Sequence, residues 1–165
     1  MGGLIRQLSR ELTRLTDIAD HDDRTDHLAV TVADHDEGVL EALRTKQPLL
    51  SAIRKDLSSP AAVTELVAGA DIVLNAVPGF MGFRTLQAIL EAGRPAVDIA
   101  FFPEGPFLLD GLAKAQGLVA VVDAGIAPGC SNLILGRMEE LMSETTRFEC
   151  VVGGLPVVRK WPFQY

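Results

Sequence analysis

Short apolar runs alternate with amphipathic stretches along most of the chain after residue 28. Each run is mostly β-branched or aliphatic, as expected for strands that are buried on both faces of a sheet. The predicted strands cover residues 28–33, 50–54, 72–76, 96–99 and 118–122. This alternation is typical of βα units and predicts an α/β fold with a parallel sheet.

Helices are predicted between these strands, where apolar residues recur at helical spacing. The predicted helices cover residues 37–43, 60–68, 82–92, 106–115 and 131–142. Ser59 followed by Pro60 is typical of a helix start, because proline is tolerated in the first turn. The connections are short and no repeat interrupts them, which favours one continuous layered domain.

Both ends of the chain depart from this pattern. Leu4, Leu8, Leu12 and Leu15 share one helical face, and an acidic loop containing histidines follows over residues 17–27. No strand is predicted before that helix, and the only sign of a glycine-rich turn there is the glycine pair at residues 2–3. From Phe148 the pattern becomes strand-like again, and it then passes through adjacent glycines into an aromatic tail.

Composition narrows the classes of function. The 165 residues carry a net charge of -7 and a mean hydropathy of +0.24, so the basic surface of a nucleic-acid-binding protein is missing. No apolar run approaches the roughly 20 residues that span a bilayer, and the polar start does not resemble a signal peptide. Cys130 and Cys150 lack metal-site spacing, as do the histidines, so no metal site is predicted. We expect a cytoplasmic protein with reduced thiols.

The first candidate for ligand chemistry is Asp34, which ends a predicted strand. In dinucleotide-binding folds an acidic residue here accepts hydrogen bonds from the adenosine ribose and disfavours a 2′-phosphate, which predicts NAD over NADP. Alternatively, Asp34 caps the helix that begins near Glu37, since aspartate is a favoured cap residue. Asp56, after the next strand, carries the same ambiguity.

The next two strands also end in residues that suit a ligand cleft. Residues 75–79 end a strand with small residues and a proline, where ligands of open α/β sheets approach. Asp98 ends the following strand, where it either holds an ammonium group or caps a turn. An ordinary strand-to-helix turn would use the same residues in 75–79.

The last predicted helix begins near Ser131, and exposed amide groups at such an end attract anions. A substrate carboxylate is therefore one candidate ligand there. Cys130 lies beside this end, but no histidine base is paired with it in the sequence, so we interpret it as a small filler residue rather than a nucleophile. No catalytic residue is predicted.

Several motifs together resemble the saccharopine dehydrogenase superfamily, and most closely the lysine ε-dehydrogenases. They are VAD at 32–34, DIVLNAVP at 71–78, AVDIAFFPEGP at 96–106, DAGIAPGCSNLIL at 123–135 and VGGLPVVR at 152–159, followed by WPFQY. The resemblance covers residues 28–165 in order and in phase with the predicted strands. Several linked motifs are far more specific than any one of them.

The resemblance implies an NAD-dependent oxidoreductase that deaminates L-lysine at its ε-amine, giving allysine or piperideine carboxylate, ammonia and NADH. It also implies a Rossmann-like domain, a small amino-acid substrate and a homodimer. The implied cofactor contacts are Asp34, Asp56, Leu57, Val77, Pro78, Asp98, Ile99 and Ala100. The implied substrate contacts are Ala127, Gly153, Gly154 and Arg159.

Three further expectations follow. Saccharopine reductases carry an aspartate in a GLDPG motif, and Ala127 in GIAPG replaces it, which disfavours saccharopine as substrate. The limits expected are an atypical helix and loop at 1–27, a partial NAD(P)-binding domain at 28–147 and the start of a substrate or dimerisation domain at 148–165. Two alternatives stay open: a non-catalytic α/β binding module or degenerate fragment, and a saccharopine- or carboxynorspermidine-type reductase.

Overall fold

The computed structural model describes residues 29–153. Strands and helices alternate through this range, and every strand pairing within it is parallel. The described residues divide into two compact units, one reaching Leu57 and the other beginning at Ser58. The α/β class and the parallel pairing are therefore confirmed.

The first unit is a βαβ arrangement. Its elements are β1 at Thr31–Asp34, α1 at Glu37–Lys46 and β2 at Ser51–Arg54. β1 and β2 pair in parallel with Asp34 opposite Arg54. Leu40 and Leu43 are the buried residues of α1, and their spacing of one helical turn directs one face inward. The unit thus places the carboxyl ends of both strands at one edge.

The second unit contains a three-stranded sheet with the order β3-β4-β5. Its strands are β3 at Val73–Asn75, β4 at Ala96–Asp98 and β5 at Ala120–Val121. Its helices are α2 at Pro60–Val67, α3 at Gly79–Glu91, a 3-10 turn at Pro106–Leu109, α4 at Asp110–Gln116 and α5 at Cys130–Leu141.

The core of the second unit lies around α3, which packs against α2 and the sheet. Leu86, Ile89 and Leu90 are completely buried on α3, and Val63 and Val67 of α2 are almost completely buried. Burial of these aliphatic side chains stabilises the unit by about 1.5–3 kcal/mol for each large residue. α3 is therefore a rigid support for the loops that follow β3 and β4.

The predicted order of elements is confirmed, with shifts at their ends. α3 begins at Gly79 rather than at residue 82, and the helix predicted over 106–115 is split into a 3-10 turn and α4. Ser59 is the N-cap of α2, as predicted, although its side chain makes no capping hydrogen bond.

The strand-like pattern from Phe148 does not give a strand within the described range. Residues 144–153 lie in neither helix nor strand, and Val151 is almost fully exposed. A strand needs a hydrogen-bonded neighbour, and none of the described strands pairs with this run. The expectations for residues 1–27 fall outside the described residues.

Candidate functional site

The carboxyl end of β1 carries two aspartates with different contacts. Asp34 closes the strand, and its Oδ1 accepts the backbone N–H of Asp36 at 2.8 Å. Asp36 is the N-cap of α1, because its own Oδ1 accepts the N–H groups of Gly38 at 2.8 Å and Val39 at 3.3 Å. The alternative in which Asp34 caps the helix is therefore wrong, since the cap must directly precede the first helical residue.

Asp34 keeps one carboxylate oxygen for a further partner. His35 lies beside it, with Nδ1 at 3.1 Å from Asp34 Oδ1, and the Asp34 side chain retains only 11% of its accessible surface. Arg54 Nε donates to the His35 carbonyl at 3.3 Å. Both contacts of the carboxylate use Oδ1, so Oδ2 accepts no hydrogen bond from the described residues. His35 itself is exposed.

Asp56 and Leu57 follow β2 at the same edge of the sheet as Asp34. The N–H of Lys55 donates to the Asp34 carbonyl at 2.9 Å, which extends the ladder one step beyond the strand. Asp56 is exposed and Leu57 is half-buried at the following turn. The predicted cofactor contacts Asp34, Asp56 and Leu57 thus belong to one edge of the first unit.

Val77 and Pro78 lie at the carboxyl end of β3 in the second unit. Both are half-buried, and Pro78 is the N-cap of α3 in an extended conformation. Ile99 and Ala100 follow β4, and the N–H of Ile99 donates to the Asn75 carbonyl at 3.0 Å. These two segments, both predicted to contact the cofactor, therefore leave the same edge of this sheet.

Two glycines allow α3 to approach the loop after β4. A Cβ atom on Gly79 would lie 2.4 Å from the Phe101 carbonyl oxygen, and one on Gly82 would lie 2.7 Å from Cδ1 of Phe102 and 2.8 Å from Cβ of Ala100. Phe101 itself has a positive φ of 49°. Sequence reasoning missed this contact, because Gly79 was assigned to the strand end at 75–79 and only Gly82 to the predicted helix.

A buried amide and carboxylate join the ends of β3 and β4. Asn75 lies opposite Asp98 in the parallel register, and Asn75 Nδ2 donates to Asp98 Oδ2 at 2.5 Å and to the Gly82 carbonyl at 3.1 Å. Asp98 Oδ1 accepts the N–H of Ala100 at 2.8 Å. Asp98 is 1% exposed and Asn75 is 2% exposed. Asp98 therefore has the turn-capping role of the two alternatives, and no ammonium group can reach it without opening this edge.

Burial raises the pKa of Asp98 above that of an ordinary aspartate, because the carboxylate is withdrawn from water. The N–H of Ala100 and the amide of Asn75 oppose this rise by stabilising the ionised form. The negative charge of Asp123, which follows β5, adds to the rise. Desolvation is the largest of these effects, so the pKa of Asp98 is raised overall.

The loop between β5 and α5 does not provide an anion site. The N–H groups of Cys130, Ser131 and Asn132 donate to the carbonyls of Gly125, Ile126 and Gly129 at 2.9 Å, 3.0 Å and 2.9 Å, respectively. The first amides of α5 are thus already bonded within the loop, so the prediction that they receive a substrate carboxylate is wrong. Ala127 lies within this loop and is half-buried.

Cys130 is the first residue of α5 and is exposed. The prediction that it fills a packed position is therefore wrong. No histidine base accompanies it in the described range. Gly153 is exposed, and Gly154 and Arg159 lie outside the described residues.

Neither a metal centre nor a membrane span is present in the part of the chain that the structure describes. Within residues 29–153 no group of three or more histidine, cysteine or acidic side chains is arranged to hold a metal ion. None of the helices there combines the length and apolar character needed to cross a bilayer.

Comparison with known families identifies this arrangement. A sequence model described as the saccharopine dehydrogenase NADP binding domain matches residues 13–121, which is well over half of the chain. The chain belongs to this family. The predicted resemblance to saccharopine dehydrogenases and the Rossmann-like nucleotide-binding fold are therefore confirmed, whereas the family description leaves the choice between NAD and NADP open.

Solved structures include a relative with the same fold. The apo histidine-tagged saccharopine dehydrogenase (L-Glu forming) from Saccharomyces cerevisiae superposes with a TM-score of 0.63 at 18% identity, over 76% of this chain. This chain covers 28% of the yeast protein's length. A Klebsiella pneumoniae crystal structure shares 26% identity over 59% of this chain and 27% of its own, but its TM-score of 0.46 is too low to compare folds.

Proposed function

We propose that this chain binds NAD for an amino-acid dehydrogenase that oxidatively deaminates L-lysine at the ε-amine. Lysine, NAD and water would give allysine, ammonia, NADH and a proton, and allysine would cyclise to piperideine carboxylate with loss of water. Membership of the saccharopine dehydrogenase NADP binding domain family supports nicotinamide-nucleotide binding and oxidoreductase chemistry. The motifs at 71–78, 96–106 and 123–135, which resemble lysine ε-dehydrogenases, support the finer assignment.

The observation that carries the cofactor proposal is the geometry of Asp34. Its Oδ1 is held by the Asp36 N–H, so the carboxylate has a fixed direction at the end of β1. Oδ2 is the acceptor that a ribose hydroxyl would occupy, and the same charge would repel a 2′-phosphate. The proposed preference is therefore NAD over NADP.

The other proposed cofactor contacts divide between the two sheet edges. Asp56 and Leu57 contact the adenine, while Val77 and Pro78 offer backbone and an apolar ring beneath the cofactor. Ile99 and Ala100 line the nicotinamide end. Because the Asp98 carboxylate is buried and fully engaged, it acts through the position of Ala100 rather than through direct contact.

On the substrate side, the proposed contacts are Ala127, Gly153, Gly154 and Arg159. Ala127 supports lysine over saccharopine, because saccharopine reductases carry an aspartate at the matching position. A bound nicotinamide would supply the hydride acceptor, and the protein would hold the neutral amine and the reacting C–H bond of the substrate in one direction. The domain limits at 28–147 and 148–165 and the homodimer remain proposals.

Isothermal titration of the purified chain with NAD and NADP tests the cofactor proposal. We expect NAD to bind more tightly than NADP. Asp34→Asn should weaken NAD binding by about tenfold, because a charged hydrogen bond to the ribose is lost. The same variant should reduce the ratio of NAD affinity to NADP affinity, because the charge that repels a 2′-phosphate is also lost. Asp36→Ser is the matched control, since it removes the neighbouring carboxylate but keeps a good helix cap.

Equal affinities for NAD and NADP in the folded wild type would contradict the proposed preference. Lysine-dependent formation of NADH, followed by absorbance with saccharopine as the comparison substrate, tests the proposed reaction. NADH formation with saccharopine but not with lysine would contradict the choice of lysine as substrate.

A further inference from the structure

The hydrogen bonds of Asn75 connect three elements of the second unit. Its Nδ2 group uses one N–H for Asp98 Oδ2 at the end of β4 and the other for the Gly82 carbonyl in α3. Asp98 in turn holds the N–H of Ala100. The segments after β3 and β4 are therefore held together through one side-chain amide.

This network leaves one buried acceptor without a donor. Asn75 Oδ1 is inaccessible to solvent and accepts no hydrogen bond from the described residues. Leaving such an acceptor unsatisfied costs about 1–3 kcal/mol. The arrangement therefore has a second hydrogen-bonding state available, provided that a neighbouring group can become a donor.

Protonation of Asp98 would supply that donor. An O–H group on Asp98 Oδ2 would face the N–H of Asn75 and repel it, but rotation of the amide would bring Oδ1 into place as the acceptor. The Gly82 carbonyl would then lose its Nδ2 donor, because the amide has only one nitrogen. One proton on Asp98 therefore reverses the direction of the hydrogen bond within the pair and removes the bond to α3.

We propose that Asn75 and Asp98 form a proton-dependent positioning pair, which holds the Val77–Pro78 and Ile99–Ala100 segments in their cofactor-binding positions only while Asp98 is ionised. This inference rests on the proposed function for the role of those two segments. The pair itself stands on the geometry of β3, β4 and α3. Both residues are positioning residues, since neither carboxylate nor amide is exposed to a ligand.

Taken together, the surroundings of Asp98 favour its protonated form. The groups that face it are the Asn75 amide from β3, the Ala100 N–H beyond β4 and Asp123 beyond β5. Asp123 is the charged group among these described neighbours, and its negative charge favours protonation of Asp98. Burial acts in the same direction.

The first test follows the pair without any ligand. In nuclear magnetic resonance spectra recorded from about pH 4 to pH 8, we expect the Asn75 side-chain amide and the Ala100 N–H to shift together with the Asp98 carboxyl carbon. Asp98→Asn should abolish this joint titration, whereas Asp110→Asn, a change to an exposed carboxylate, should leave it intact. Asn75 and Ala100 signals that do not move with Asp98 would overturn the proposal.

The second test measures NAD affinity by isothermal titration over the same pH range. We expect the wild type to bind NAD about fivefold more weakly when Asp98 is protonated, since one hydrogen bond is lost, and Asp98→Asn to remain at the weaker level throughout. The pH effects of groups outside the pair are common to both proteins and cancel in the ratio of their affinities.

The outcomes separate the two proposals. NAD binding with a pH profile that Asp98→Asn does not change would overturn the positioning pair alone. No NAD binding by the folded wild type at any pH would overturn the proposed function and the cofactor role of the pair, whereas the joint titration would still decide whether the proton exchange occurs. If Asp98→Asn fails to fold, the wild-type joint titration alone decides between the outcomes.

Discussion

Asp34 and Asp98 occupy equivalent places in the two units, yet their surroundings differ. Each closes a parallel strand, and in each the Oδ1 atom accepts a backbone N–H from two residues further on, at 2.8 Å. At Asp34 the second neighbour is an exposed histidine, and Oδ2 is left without a described partner. At Asp98 the second neighbour is a buried asparagine that occupies Oδ2.

The comparison shows that the same local turn serves different purposes. An aspartate that fixes its own orientation with one oxygen can present the other oxygen to a ligand, as we propose for Asp34. When a neighbouring strand supplies a donor for that second oxygen, the carboxylate becomes part of the scaffold. What separates the two roles is the residue opposite the aspartate, which is Arg54 in one sheet and Asn75 in the other.

The largest expected effect comes from removing the buried donor. Asn75→Ala removes the side-chain donor of the buried Asp98 Oδ2 and of the Gly82 carbonyl, so we expect the free energy of unfolding to fall by about 2–3 kcal/mol. His35→Ala removes the corresponding neighbour of Asp34 at an exposed site and should change stability by less than about 0.5 kcal/mol. Urea denaturation followed by circular dichroism measures both, and equal losses would contradict the distinction.

A smaller effect separates Asp34 from its neighbour Asp36. Because Asp36 supplies the capping hydrogen bonds to Gly38 and Val39, Asp36→Ala should lower the free energy of unfolding by about 1 kcal/mol. Asp36→Ser should restore most of the loss, because serine is also a good cap. A full loss in the serine variant, measured by the same denaturation, would show that the carboxylate is needed for something other than capping.

The pH dependence of stability provides a gradual measure of burial at Asp98. The folded-state pKa of Asp98 is raised, so the folded protein holds this proton to a higher pH than the unfolded chain does. The contribution of protonated Asp98 to the free energy of unfolding is complete below the ordinary aspartate pKa of about 3.9. This contribution is lost as the pH rises through the folded-state pKa.

Comparing variants over that window isolates this contribution. The stability of the wild type relative to Asp98→Asn should decline with rising pH and then level off. Thermal unfolding at successive pH values measures the difference. A constant difference between wild type and Asp98→Asn would contradict the raised pKa.

Local sequence patterns predicted the order of strands and helices because buried parallel strands must be apolar and their connecting helices amphipathic. They could not distinguish Asp34 from Asp98, since both follow short apolar runs. The burial of Asp98 depends on Asn75, which is 23 residues away in the chain. The parallel register that brings them together is a tertiary property, although two polar residues ending adjacent predicted strands were a usable signal.

The ends of the helices also divide into those that local sequence predicts and those that depend on tertiary contacts. Gly79, the first residue of α3, leaves room for the nearby Phe101 carbonyl, and the first amides of α5 are bonded because the preceding loop folds back. Neither contact is encoded in periodicity. By contrast, Ser59 and Pro60 marked the start of α2 correctly, because proline acts on the adjacent backbone alone.

α5 differs from α3 in a way that bears on the motions of the chain. None of its residues is buried, and Leu133, Ile134 and Leu141 remain largely exposed. A helix of this length is marginal in water without a packed face, so its backbone hydrogen bonds should open at a small free-energy cost while those of α3 open only with the unit as a whole. In hydrogen exchange, the two helices would therefore behave as separate cooperative units.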